Sequence, residues 1–111
     1  MNITVHHGGS DVVRLHLSGD LDLATADALE RLVLNTLATH HPRRLVIDAD
    51  ELGFCDSSGI HVLIKVRAFA HRHGSTFQVT NLHGRSQRAL AITGVLEKLT
   101  SVSEPPPPPA E

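Results

Sequence analysis

Tryptophan and tyrosine are absent from this chain, and three phenylalanines supply all of its aromatic content, 3% of 111 residues. Stacking platforms for single-stranded nucleic acid are therefore missing. Basic charge is not in excess either. Ten Lys and Arg stand against twelve Asp and Glu, a formal net charge of −2, so no positive field supports a nucleic-acid role. The single cysteine, Cys55, excludes an internal disulfide framework and suits a reducing compartment. No apolar run approaches the length that spans a bilayer, and no signal-peptide pattern is visible. The expectation is a cytoplasmic protein with neither a membrane nor a nucleic-acid partner.

What is there suffices for one domain with a core that needs no metal or disulfide, since 41% of the residues are hydrophobic. Ile3 and Val5 alternate with polar neighbours and predict a short strand. His6 to Asp11 reads as a turn by composition. Val13, Leu15 and Leu17 alternate in turn with Arg14, His16 and Ser18, the period of a half-buried strand that Gly19 to Asp22 ends. A helix is predicted over about 24–39, with Leu29, Leu32, Val33, Thr36 and Leu37 on one face. Either Asp22 or Thr25 could cap it. Pro42 stops this helix and leads into the short, mostly β-branched run Arg44 to Ile47, as expected of a strand covered on both faces.

The stretch from Asp48 to Gly74 organises the rest. It reads as a strand end, a tight loop carrying Ser57 and Ser58, and a helix that starts on those serines and has helical length over 59–73. His61, Lys65, Ala68 and Arg72 form one stripe of that helix, while Val62, Leu63, Ile64, Val66, Phe69 and Ala70 fill most of its circumference. Such a helix must lie against a sheet. Gly74 is a natural residue to follow its end. A strand over 76–80, a short helix over 85–93 closing at Gly94, and a last short element through Val95, Leu96 and Leu99 complete the pattern. The order β-β-α-β-α-β-α predicts an α/β fold, a mixed, mostly parallel sheet with helices packed against it. From Glu104 the five prolines Pro105 to Pro109 can join neither sheet nor helix and read as an exposed polyproline-type tail.

Three groups of residues invite chemistry. Ser57 and Ser58 would need a general base to act as nucleophiles. The G-x-S-x-G elbow is absent, and nothing in the sequence fixes His61 or His83 as that base. Ser57 could instead be a plain helix cap. A third reading has a serine hydroxyl accept a phosphoryl group. Phosphate there meets free backbone N–H groups and the positive end of the helix dipole, so the fold tolerates it. About two negative charges would be added beside Asp56, near Asp20 and Asp22 if the loops cluster, and the binding face is expected to change sign. His6-His7, His40-His41 and His71-x-His73 read as scattered surface histidines, because no cysteine or paired carboxylate completes a metal set. Cys55, between Phe54 and Asp56, reads as a small packed side chain rather than a redox sensor.

Gly19-Asp20-Leu21-Asp22 with Ala24-Thr25-Ala26 beyond it, then Leu45-Val46-Ile47-Asp48, then Phe54-Cys55-Asp56-Ser57-Ser58-Gly59-Ile60, together resemble the bacterial anti-sigma factor antagonists of the STAS family. The match runs in order over about residues 1–101, and Asp20 replaces the commoner Glu of the first motif. The resemblance implies a STAS-like α/β domain over 1–103 with a four- to five-stranded sheet, followed by the proline-rich tail 104–111. It implies a non-enzymatic partner of an anti-sigma factor that is also a serine kinase, phosphorylated on Ser57 and reset by a serine phosphatase. It places Asp22, Asp56, Ser57, Ser58 and Gly59 on the partner-binding face and calls for no cofactor or metal. A STAS module serving a transporter or a stress-signalling assembly is the alternative it leaves open.

Overall fold

The computed structural model describes residues 1–9 and 11–102. Four strands and four helices follow in the order β1 (Asn2–Gly8), β2 (Val12–Leu21), α1 (Leu23–His40), β3 (Arg44–Cys55), α2 (Ser57–Arg72), β4 (Thr76–Thr80), α3 (Gly84–Ile92) and α4 (Leu96–Thr100). The strands lie in one sheet in chain order, β1-β2-β3-β4. The pair β1/β2 is antiparallel, and β2/β3 and β3/β4 are parallel. The expected mixed, mostly parallel sheet is therefore present, with four strands.

Alternation decides which face is covered. Val13, Leu15 and Leu17 of β2, Leu45, Ile47 and Ala49 of β3, and Phe77 and Val79 of β4 point to the same side. They bury themselves against Leu29, Val33 and Leu37 of α1 and Leu63, Val66 and Ala70 of α2, with Leu90 of α3 and Leu99 of α4 joining the same core. Each large aliphatic side chain so removed from water contributes roughly 1.5–3 kcal/mol before the cost of ordering it. The other side of the sheet carries Arg14, His16 and Asp48 in addition to Val46, which is buried between its register partners Arg14 and Gln78.

Two local expectations are corrected. His6 and His7 belong to β1, not to a turn, because their partners Arg14 and Val13 continue the antiparallel ladder up to Gly8. The reversal is confined to a shorter loop in which Gly9 and Asp11 take positive φ. The second correction concerns β3, which runs on to Cys55 where the sequence suggested a short strand over Arg44 to Ile47 that ends soon after Asp48. The extension pairs with Ser18 to Leu21 of β2 through two register shifts. Those shifts break strict alternation, so Ala49, Leu52 and Cys55 are buried at intervals of three. With Asp48, Asp50, Glu51 and Gly53 among its residues, the segment also has poor strand propensity. The proline-rich tail and the boundary proposed at residue 103 lie outside the described residues.

Candidate functional site

The two parallel crossovers bring the starts of α1 and α2 side by side at one end of the sheet. Asp22 is the N-cap of α1, and its carboxylate accepts hydrogen bonds from the Ala24 and Thr25 backbone N–H groups at 3.0 and 3.2 Å. Thr25 Oγ1 in turn accepts from the Asp22 N–H at 2.9 Å. The choice between Asp22 and Thr25 resolves into both, as the two halves of a capping box.

Helix α2 starts on the serines, as expected, with Ser57 and Ser58 inside its first turn. The cap is Asp56, whose carboxylate accepts from the Gly59 N–H at 3.0 Å, while its carbonyl accepts from Ile60 N–H at 2.9 Å. This overturns the reading of Ser57 as a plain helix cap. With Asp56 in that role, the Ser57 hydroxyl is exposed and makes no hydrogen bond to any described residue. Ser58 is half-buried beside it. Gly59 is buried, and its contacts are with the protein's own Leu21 and Cys55. Asp56 N–H also donates to the Leu21 carbonyl at 3.2 Å, which ties the start of α2 to the end of β2.

Between the two helices runs an open groove of about 400 Å³. Helix α1 lines it with Leu23, Ala26, Asp27 and Glu30, and α2 with Ser57, Ser58, His61, Val62 and Lys65. Leu23 is 79% exposed at its rim, and Phe54 is a second exposed apolar side chain, under the Arg85 guanidinium at 5.6 Å from the ring centroid. Lys65 Nζ crosses to Glu30 Oε1 at 2.7 Å. The α1 wall was not legible in the sequence, where only the α2 stripe of His61, Lys65 and Arg72 stood out. Acidic groups predominate around the groove, Asp22, Asp27, Glu30 and Asp56 against Lys65 and Arg31, which pair with Glu30 and Asp27. A phosphate on Ser57 would deepen that negative charge rather than reverse it, which corrects the expected change of sign.

The remaining candidates separate from this site. His83 Nε2 lies 2.6 Å from the Asp50 carbonyl and 3.8 Å from its carboxylate, and no hydrogen bond joins His61 to Ser57. Cys55 is buried. Desolvation first, and the neighbouring Asp56 charge second, push its thiol up to about 12, far from the thiolate a redox sensor needs. The rings of His7 and His40 meet edge to face at 4.6 Å. Among the described residues no group of three or more His, Cys, Asp or Glu side chains could hold a metal, and no helix is long and apolar enough to cross a membrane.

One cluster escaped the sequence reading. On the face of the sheet away from α1 and α2, His16 of β2 lies 3.0 Å from Glu51 Oε1 and 3.4 Å from Asp48 Oδ2. The Glu51 hydrogen bond, working against partial burial and helped by Asp48, raises the His16 pKa. Burial pushes Asp48 up, but hydrogen bonds from the Asn81 side chain, the Asp50 backbone and His16 outweigh it and hold that carboxyl below its ordinary value. Glu51 lies 35 residues from His16 and Asn81 lies 33 from Asp48, so no local spacing in the sequence marks the cluster.

The arrangement is that of a small α/β domain displaying an unengaged serine at the start of a sheet-packed helix. A family model described as "Mlab, STAS domain" matches residues 6–101, and the chain belongs to the STAS domain family. It is 27% identical over 100 residues to an anti-sigma F factor antagonist of Paenibacillus polymyxa, covering 87% of this chain and 84% of the relative. An anti-sigma factor antagonist from Mycobacterium paratuberculosis has a similar solved structure, with a TM-score of 0.73 and 28% identity over 89% of this chain and 83% of that one. The Bacillus cell fate determinant SpoIIAA, solved in its phosphorylated form, aligns with a TM-score of 0.65 at 14% identity, covering 90% of this chain and 89% of its own. At that identity the likeness speaks for the fold alone.

Proposed function

We propose that this chain is an anti-sigma factor antagonist, a binding module without catalytic activity of its own, whose docking is ended by phosphorylation of Ser57. The observation that carries the reading is the exposed Ser57 hydroxyl, free of internal partners on the first turn of a helix already capped by Asp56. The names of the Paenibacillus and Mycobacterium relatives support the antagonist role. The partner is an anti-sigma factor with serine kinase activity. The γ-phosphoryl group of ATP passes to Ser57 Oγ, the hydroxyl proton goes to a base of the kinase, and ADP leaves. A serine phosphatase then restores the hydroxyl.

Sterics rather than charge reversal account for release. The face is acidic before modification, so a partner complementary to it would not be repelled by a new sign of charge. A partner packed closely over a hydroxyl has no room for three phosphate oxygens. The core beneath is untouched, because the modified atom is outside it and the helix N-terminus favours the added anion.

Capture on the immobilised kinase with and without ATP, followed by mass mapping of the modified residue, tests the proposal. Ser57→Ala is expected to be captured and retained when ATP is added, whereas Ser57→Asp folds and binds poorly. Modification of Ser58 alone would overturn the assignment to Ser57. Recovery of transporter components in place of an anti-sigma factor would favour the transporter-accessory reading. Covalent labelling of Ser57 by a fluorophosphonate would instead indicate a hydrolase, and no labelling is expected.

A further inference from the structure

The groove in which Ser57 stands contains two side chains able to carry positive charge, His61 and Lys65, and they differ in one respect. Lys65 is already committed to Glu30 of α1 at 2.7 Å. His61 is exposed, lines the same groove and, among the described residues, makes no hydrogen bond or ion pair. It follows Ser57 by four residues on the same helix, a spacing that sets Cβ atoms about 5–6 Å apart on one face. A phosphoserine side chain and an imidazole reach each other across that distance without any backbone movement.

We infer that His61 is the counter-ion of a phosphate on Ser57. This deepens the proposed function and rests on its assignment of Ser57. The second ionisation of a phosphoserine lies at about 6, and a cation in contact with the phosphate favours its dianion. The groups facing the pair are Asp27 and Glu30 on α1 and Lys65 on α2. Glu30 is tied to Lys65 at 2.7 Å and Asp27 to Arg31 at 4.0 Å, so both carboxylates of this wall already face a cation, and among the described residues His61 is the basic side chain of the groove left without a partner. At the start of the helix the Asp56 carboxylate accepts from Gly59 N–H, which leaves the Ser57 and Ser58 N–H groups on the phosphate side.

The test installs phosphoserine at position 57 by genetic encoding, so that no kinase is needed, and follows the phosphorus NMR signal against pH. Three phosphorylated chains are compared, the wild type, His61→Gln and His61→Lys. The phosphate of the wild type is expected to ionise at a lower pH than that of His61→Gln, by roughly half a pH unit for a charge pair in contact with water. His61→Lys should restore the lowered midpoint with a charge that does not itself titrate in this range. Circular dichroism confirms that all three are folded, as an exposed position allows. Superimposable curves for the wild type and His61→Gln would overturn the inference. A chain that no kinase modifies could still show the shift, and one that a kinase does modify could still lack it, so this outcome and that of the kinase capture are read separately.

Discussion

Gly59 lies against Leu21 so closely that the two residues leave no space for a side chain between them. A methyl group built on Gly59 would meet the Leu21 carbonyl oxygen, with Cys55 Sγ at 2.7 Å and Leu21 Cγ at 2.9 Å. The first of these is backbone, and the Asp56 N–H donates to that same oxygen. Neither side can therefore give way cheaply. Gly59→Ala is expected to cost about 1–3 kcal/mol, as overpacking of a tight site does. Thermal or urea unfolding checks it, and a midpoint unchanged from the wild type would show that the contact is softer than the geometry implies. The glycine of the serine motif thus has a packing reason that is independent of any partner.

The capping box at the start of α1 makes Asp22 a structural residue as well as a surface charge. Asp22→Ala removes the acceptor of two backbone N–H groups and is expected to cost about 1 kcal/mol. For a domain of this size that lowers the melting temperature by about 4–8 °C. Asp22→Asn keeps a good cap and should keep nearly all of the stability while removing the charge. Loss of partner capture in Asp22→Asn, with melting unchanged, would assign the carboxylate to binding. Equal melting of Asp22→Ala and the wild type would contradict the capping role.

These two cases also mark how far the sequence could be read. Alternation gave β2, the strand over 76–80 and their buried faces, because one face of each meets the core and the other does not. The 3.6-residue period gave Leu29, Val33 and Leu37 of α1 and the apolar girth of α2. The motif Asp56-Ser57-Ser58-Gly59 placed the site at a strand-to-helix junction. What was hidden depended on long-range geometry. The outer half of β3 is charged and register-shifted, so its pattern matches neither period. The α1 wall of the groove follows from packing against α2 and left no local mark at Leu23 or Asp27. Ser57 was set one position too early relative to its helix, since a side-chain cap at either Asp56 or Ser57 suits the same residues.

Leu23 tests whether the groove's rim takes part in docking. It occupies the first turn of α1 at 79% exposure, and so contributes little to the core. Leu23→Ser is expected to change stability by no more than about 0.5 kcal/mol. If Leu23 is an anchor of the proposed kinase interface, the same substitution weakens capture about tenfold, the behaviour of an exposed apolar side chain that becomes buried at an interface centre. Fluorescence polarisation or calorimetry against the kinase reads the difference. Unchanged affinity would confine docking to the Ser57 side of the groove.

The cluster of His16, Asp48 and Glu51 gives the fold a pH dependence that can be worked out in sign. His16 is held charged, its pKa raised above the ordinary 6.5, chiefly by the Glu51 hydrogen bond. Its contribution to stability is therefore complete below 6.5 and is lost as pH rises through the higher folded value. Asp48 is held below its ordinary 3.8, so its contribution is complete above 3.8 and disappears as pH falls through the lower folded value. The cluster stabilises the sheet most between those two ordinary values. Because Glu51 is largely exposed, the effect is small, under about 1 kcal/mol. The stability deficit of His16→Gln, measured from urea midpoints, should accordingly be larger at about pH 5.5 than at about pH 9. A deficit that stays constant or grows with pH would mean that the imidazole acts by packing against β3 and not by its charge.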